Sequence, residues 1–366
     1  MYGSSIGNIF RITTWGESHG NGVGVVIDGC PAGLSLCEED IQVFLDRRKP
    51  GQSKFTTARA EGDIAHIESG VFEGKTTGCP ISVVVYNNDQ KTKDYNDIST
   101  CFRPGHADYT YDRKYGHRDY RGGGRSSGRE TIGRVIAGAI ASKILSSVGI
   151  NIVAYTKSIG PITINNANFD SNYILNNVLY MPDKIAFTNA TSYLEDCIKK
   201  NDSAGGTIEC VVSKVPIGLG DPCFEKLSAN LAKAICSIGA VKGFEIGDGF
   251  AVSTSNGTNN NDTFSINEDN NIVKDTNHSG GVLGGISDGS DIIIRAAIKP
   301  TPSISSEQKT VTKNGQIKKL IVKGRHDPII VPRAVVVVES MVAITLVDAL
   351  LANMTSTMSS VTEFYK

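Results

Sequence analysis

Chemistry is concentrated between Cys101 and Arg134. Eight basic side chains (Arg103, Arg113, Lys114, Arg118, Arg121, Arg125, Arg129, Arg134) stand there against four acids, Asp108, Asp112, Asp119 and Glu130. On a chain with 37 Lys and Arg against 38 Asp and Glu, that local excess marks a place built to hold an anion. Within it lies the run Arg121-Gly122-Gly123-Gly124-Arg125-Ser126-Ser127-Gly128. Ser127 and Glu130 have the S-x-x-E spacing of a capping box, which predicts a helix from Arg129 to Val148 with Arg125, Ser126 and Ser127 at its N-terminus. Unbonded N–H groups, the positive end of the helix dipole, two hydroxyls and a guanidinium then surround one point, an arrangement suited to phosphate. Ordinary capping in a surface loop explains the serines but not three consecutive glycines beside two arginines.

A second basic stretch, Arg47-Arg48-Lys49-Pro50-Gly51 with Lys54, follows a helix C-terminus, where the dipole alone also favours cations. His19 in Gly16-Glu17-Ser18-His19-Gly20 and His106 in Arg103-Pro104-Gly105-His106-Ala107-Asp108 occupy glycine-flanked turns beside charge. Each alone reads as a structural hydrogen-bonding histidine; beside anion sites they become acid/base candidates, because imidazole titrates near neutral pH. Gly324-Arg325-His326-Asp327-Pro328 is a charged turn, and Pro332-Arg333 starts the last long helix. Asp348 lies inside the apolar run Ile344–Leu351 of that helix, and a buried carboxylate must be paired or functional.

These residues need a scaffold. Strands are expected at Gly22–Asp28, Pro80–Tyr86, Thr207–Val215, Asp291–Ile298 and Lys319–Lys323, all rich in Val or Ile or bounded by Gly and Pro. Helices are expected at Glu38–Arg48, at Arg129–Val148 with Ile132, Ile136, Ile140 and Ile144 in one row, from Asp221-Pro222 onward, and from Pro332 to about Asn353. The mixture is neither strict βαβ alternation nor strands followed by helices, so an α+β layered fold is expected, as one domain over residues 1–366. Residues 256–277, with eight Asn, read as a flexible loop within it.

Composition excludes several classes. Neither glycine-rich run is a Walker A loop or a G-x-G-x-x-G fingerprint, which argues against a P-loop NTPase and a Rossmann dehydrogenase. A net charge of −1 argues against a nucleic-acid partner. The apolar stretches Ala334–Val338 and Met341–Val347 fall short of the roughly 20 residues of a spanning helix, so no membrane partner is expected. The N-terminus lacks the pattern of a secretory signal, which points to the cytoplasm. Eight scattered cysteines and six histidines show no metal-ligand spacing, so no metal is expected and the cysteines read as buried free thiols.

Together the motifs resemble the chorismate synthase family over nearly the whole chain. The resemblance rests on Gly16–Gly20, Arg103–Asp108, Gly122–Ser127, Lys299-Pro300-Thr301 and Gly324–Pro328. It implies a carbon–oxygen lyase: anti 1,4-elimination of phosphate from 5-enolpyruvylshikimate 3-phosphate to give chorismate, in the shikimate pathway to aromatic amino acids. It also implies reduced FMN as cofactor, NADPH as a flavin reductant in some members, and a homotetramer of β-α-β sandwiches with helices packed between antiparallel sheets. By similarity, Arg125, Ser126, Ser127, Gly239, Ala240, Gly284, Lys299, Pro300, Thr301, Pro302, Ser303 and Arg325 match the flavin site. Arg48, Lys54, Arg134 and Arg333 match substrate contacts, Lys54 standing where the family commonly has Arg. The resemblance makes His19 the acid at the departing phosphate, His106 the proton source for the flavin, and Asp348 the carboxylate that helps remove the C6 proton. Two other readings use the same arginines: a phosphotransferase acting on a sugar phosphate, for which no nucleotide cradle is visible, and a non-catalytic anion-binding module.

Overall fold

The structure, a computed structural model, describes residues 3–56, 62–87, 99–120, 122–322 and 327–366. Period-two burial builds two sheets. Val23, Val25 and Ile27 face inward beside Ile81, Val83 and Val85 in the first, and Ile208, Cys210 and Val212 beside Ile292, Ile294 and Ala296 in the second. In spatial order the first sheet runs Ser5–Ile6, Arg11–Gly16, Gly22–Asp28, Ile81–Tyr86, His66–Ser69. The second runs Val241–Ile246, Ile292–Ile298, Gly206–Ser213, Asn151–Ile159, Ile162–Thr163. Every pairing in both is antiparallel.

The helices are α1 (Glu38–Arg48), α2 (Asp108–Tyr115), α3 (Thr131–Ser147), α4 (Lys184–Lys199), α5 (Leu227–Cys236), α6 (Gly257–Asn260), α7 (Val331–Asn353) and α8 (Met358–Phe364). α3 lies on the first sheet, α7 on the second, and the two pack on each other with α1 and α5 beside them. The result is a β-α-β sandwich. α3 and α7 are buried on nearly all sides, as central helices must be. Their crossing uses small residues: a Cβ on Gly138 would lie 2.1 Å from the Cβ of Ser340.

Several expectations need correction. The two short apolar stretches near the C-terminus fuse into α7, which has the length and apolarity of a membrane-spanning helix yet forms the core. Glu339, the charge that divides them, is buried and paired in a fork with Arg47 of α1 at 3.0 and 2.6 Å. α5 begins at Leu227 rather than Asp221; the preceding residues form a turn, and Phe224 is 94% exposed. The Asn-rich segment is structured: it holds α6 and a hairpin of Phe264–Ile266 with Ile272–Lys274. Buried Lys274 anchors it, 3.2 Å from Asp262 and 2.7 Å from Asp288. The cysteines are free, but only Cys30, Cys101 and Cys210 are buried, while Cys37, Cys79, Cys223 and Cys236 are exposed.

Candidate active site

The turn carrying His19 joins the strands Arg11–Gly16 and Gly22–Asp28. The Asn87 amide clamps it, donating to the carbonyls of Glu17 at 3.0 Å and Gly20 at 2.7 Å. His19 is buried, with Nδ1 3.0 Å from the Ser18 hydroxyl. Gly122 packs on the ring edge: a Cβ there would sit 2.5 Å from His19 Cε1, and its φ of +106° independently favours glycine.

His106 meets His19 through that same glycine, because Arg103 Nη2 donates to the Gly122 carbonyl at 2.9 Å. Asp108, at the start of α2, is buried and accepts from Arg103 Nε and Nη2, both at 2.8 Å, and lies 2.9 Å from Arg118 Nη1. His106 Nδ1 stands 3.1 Å from Arg103 Nη2 and 3.2 Å from Asp108 Oδ1. Burial alone would raise the Asp108 carboxyl, but hydrogen bonds from Arg103 and then His106 outweigh it and hold the group far below the usual carboxylate range.

Arg48, at the end of α1, is 2% exposed. It donates to Asp63 at 2.7 Å and to the Gly128 carbonyl at 3.2 Å, and Asp63 also pairs with Arg129 at 2.9 Å. Arg129 continues to Asn87, and so to the His19 turn. From α7, Arg333 donates to the Arg48 carbonyl at 3.0 Å and pairs with Asp327 at 2.7 Å. The His19 turn, Arg48 and Arg333 thus share one polar network, and the His106–Arg103–Asp108 cluster meets it where Gly122 packs on the His19 ring.

Around it lie most of the residues expected to hold the flavin. Ser127 caps the 3-10 turn Gly128–Glu130, which runs into α3. The reciprocal capping box is absent: Glu130 turns instead to Arg134 at 2.9 Å and the Thr14 hydroxyl at 3.0 Å. Arg125 reaches Thr14 Oγ1 at 2.7 Å and the Gly16 carbonyl at 3.2 Å. Ser126 bonds the Gly123 carbonyl at 2.6 Å. Arg134 spans to Ser237, at 2.6 Å from its hydroxyl, which brings the Gly239-Ala240 turn alongside. Ala240 accepts the Lys299 N–H at 3.0 Å, and Lys299 Nζ bonds the Gly105 carbonyl at 2.7 Å. Pro302 packs at Gly105, and Pro300, Thr301 and Ser303 belong to the same turn.

This donor set fits a phosphate-bearing cofactor. Nothing lies within 4 Å of where Cβ atoms would stand on Gly124, Gly128 and Gly239, so their backbone is open to a ligand. Burial, then repulsion from Lys242, lowers the Lys299 pKa, and an anion between the two ammoniums would relieve both effects. Among the described residues no group of three His, Cys, Asp or Glu is arranged to hold a metal.

Three expected residues do not join the network. Lys54 pairs with Glu195 of α4 at 2.5 Å and is well exposed. Asp348 lies fifteen residues beyond Arg333, about 22 Å along α7 at the helical rise. Its carboxylate accepts from the backbone N–H groups of Asn8, Ile9 and Phe10 at 2.7 to 3.0 Å, so it pins the N-terminal loop to the helix. Gly284 is at a hairpin tip whose neighbour Gly285 packs against Asp221 and Lys226. Arg121 and Arg325 lie outside the described residues.

The network also contains residues that sequence reasoning missed: Asp63, Asn87, Arg103 and Asp108 as site members, and Asp327 as the carboxylate beside Arg333. Asp327 was legible as part of a charged turn next to Arg333. Asp63 carried no signal, since an acid in a polar stretch looks solvated.

Known proteins match the chain over nearly its whole length. The family model described as chorismate synthase matches residues 10–351. Curated chorismate synthases from Agathobacter rectalis and Lachnospira eligens are 66% and 63% identical over 366 residues, covering all of both chains. A crystal structure of chorismate synthase superposes with a TM-score of 0.77 at 31% identity, covering 98% of this chain and 97% of that one.

Proposed function

The chain belongs to the chorismate synthase family, a lyase family of the shikimate pathway, and from that premise we propose how its residues divide the work. The cofactor is reduced FMN, held by Arg125, Ser126, Ser127, Gly239, Ala240 and the Lys299–Ser303 turn, with Arg325 and Gly284 as further candidates. When bound, it supplies transient electron donation to a reaction without net redox change. NADPH is a candidate reductant for the flavin, the assembly is a homotetramer of single-domain subunits over residues 1–366, and the enzyme works in the cytoplasm.

The observation that carries this reading is the contiguous set of contacts from the His106 cluster, through Gly122 packed on His19, to Arg48 and Arg333. A substrate bearing one phosphate and two carboxylates needs concentrated guanidinium groups, which Arg48, Arg134 and Arg333 provide. His19 protonates the departing phosphate as its charge develops. His106 holds a proton for the flavin. The C6 proton needs a carboxylate beside the arginines: Asp327 is placed for it, whereas Asp348 would have to leave three N–H donors and cross the length of α7.

The test is anaerobic. Protein, 5-enolpyruvylshikimate 3-phosphate and chemically reduced FMN are mixed, and chorismate absorbance and phosphate are followed together. Equal, flavin-dependent appearance of both products is expected, with a loss of about 10²- to 10⁴-fold in His106→Ala or His19→Ala. Folded, flavin-binding protein that releases neither product would overturn the reading.

A further inference from the structure

Hydrogen counting at Arg103 fixes the state of His106. Arg103 Nη2 carries two hydrogens but faces three acceptor positions: Asp108 Oδ1 at 2.8 Å, the Gly122 carbonyl at 2.9 Å and His106 Nδ1 at 3.1 Å. The carboxylate and the carbonyl have no other role than to accept, and they are the closer two. Nδ1 is therefore left without a full donor from Arg103, while 3.2 Å away Asp108 Oδ1 can accept a hydrogen from it. The balanced arrangement has Nδ1–H donating to Asp108.

We propose that Asp108 is the positioning residue that keeps the proton on Nδ1 of His106, so that Nε2 is the ring nitrogen that exchanges protons with bound molecules. This rests on the reading of His106 as a proton source. Asp108 itself is fixed from several sides: the Arg103 backbone N–H donates to its Oδ2 at 3.0 Å, and Arg118 approaches Oδ1 at 2.9 Å. It cannot rotate away from the ring without abandoning two guanidinium groups. Both protonation states of the imidazole keep the Nδ1–H···Asp108 bond; only Nε2 gains or loses a hydrogen, so proton transfer requires no ring flip.

The other charges around the ring leave this assignment intact. Arg103, Arg118 and Asp112 come from its own segment, Arg118 lying 3.9 Å from Asp112. Lys299 approaches through the Gly105 carbonyl, His19 lies across Gly122, and Lys309 lines the cleft beyond Arg103.

The test uses protein labelled with 15N in its histidine rings, with His106→Gln to assign the signals. At a pH where His106 is neutral, the expected wild-type spectrum shows Nδ1 protonated and Nε2 bare. Asp108→Asn should lose that tautomer and reduce kcat about ten-fold, with KM little changed. Asp108→Glu should restore part of each. A wild-type spectrum with the proton on Nε2 overturns the proposal even if no variant folds, as does an Asp108→Asn protein with unchanged ring signals. If the tautomer is as assigned while His106→Gln retains full turnover, the catalytic reading of His106 fails and the Asp108 assignment stands.

Discussion

Asp63 joins two arginines that local sequence would let repel each other. Its side chain is fully buried, bridging Arg48 of α1 and Arg129 ahead of α3. Removing the charge leaves two buried guanidinium groups with one acceptor fewer, a loss that costs about 3–5 kcal/mol when one partner of a buried pair is deleted. Asp63→Asn should therefore lower the unfolding free energy measured by urea titration by that amount and weaken substrate binding more than turnover, because Arg48 would lose its aim. Near-wild-type stability of the variant would mean that the network is not shared in this way. Asp108 adds a pH dependence. Its carboxyl sits far below its unfolded value, so its contribution is complete above about pH 4 and is lost as pH falls further. Acid unfolding of Asp108→Asn should accordingly show a shallower slope below that pH than the wild type.

At the scale of elements, the close crossing of α3 and α7 sets the thickness of the core. In an exposed helix Gly→Ala is stabilising by about 1 kcal/mol, but at position 138 the added methyl would overlap Ser340, whose Cα lies only 2.5 Å from the new atom. Gly138→Val should cost more than about 3 kcal/mol and reduce kcat together with stability, measured by urea unfolding and initial rates, since Arg134 and Arg333 ride on the two helices. The sequence showed α1, α3 and the start of α7 almost to the residue, because their apolar spacing and capping are local. It also showed the strands Gly22–Asp28 and Ile292–Ile298. It hid Arg11–Gly16 and Asn151–Ile159, in which polar residues interrupt the apolar run, and it hid α4, whose buried face is made mainly of alanines. At the site, the histidine turns and arginines were legible from glycine and charge spacing. Their bridging partners Asp63 and Asn87 were not, since that relation exists only after the two halves meet. Asp348 shows the reverse relation: an acid in an apolar helix points to function by sequence, and in the structure it secures a loop.

For the molecule as a whole, charge is unevenly placed. Residues 99–120 and 299–322, which carry His106 and the Lys299 turn, contain nine Lys and Arg against four Asp and Glu on a chain of net charge −1. A multiply anionic substrate should be drawn to this side, so KM should rise several-fold between roughly 50 and 500 mM salt while kcat holds steady. Lys309→Gln with Lys318→Gln should flatten that dependence; an unchanged salt profile would show that steering is negligible. The core imposes a different kind of order. The two sheets are held apart by helices, and the helix that seats the second sheet, α7, is synthesised after every strand of both. Until it docks, the second sheet presents its row of valines and isoleucines to water and α3 lacks its main partner, and Arg333 cannot reach Arg48. The nascent chain therefore passes through a long interval with open, sticky surfaces, during which its survival depends on chaperone protection more than on its final stability.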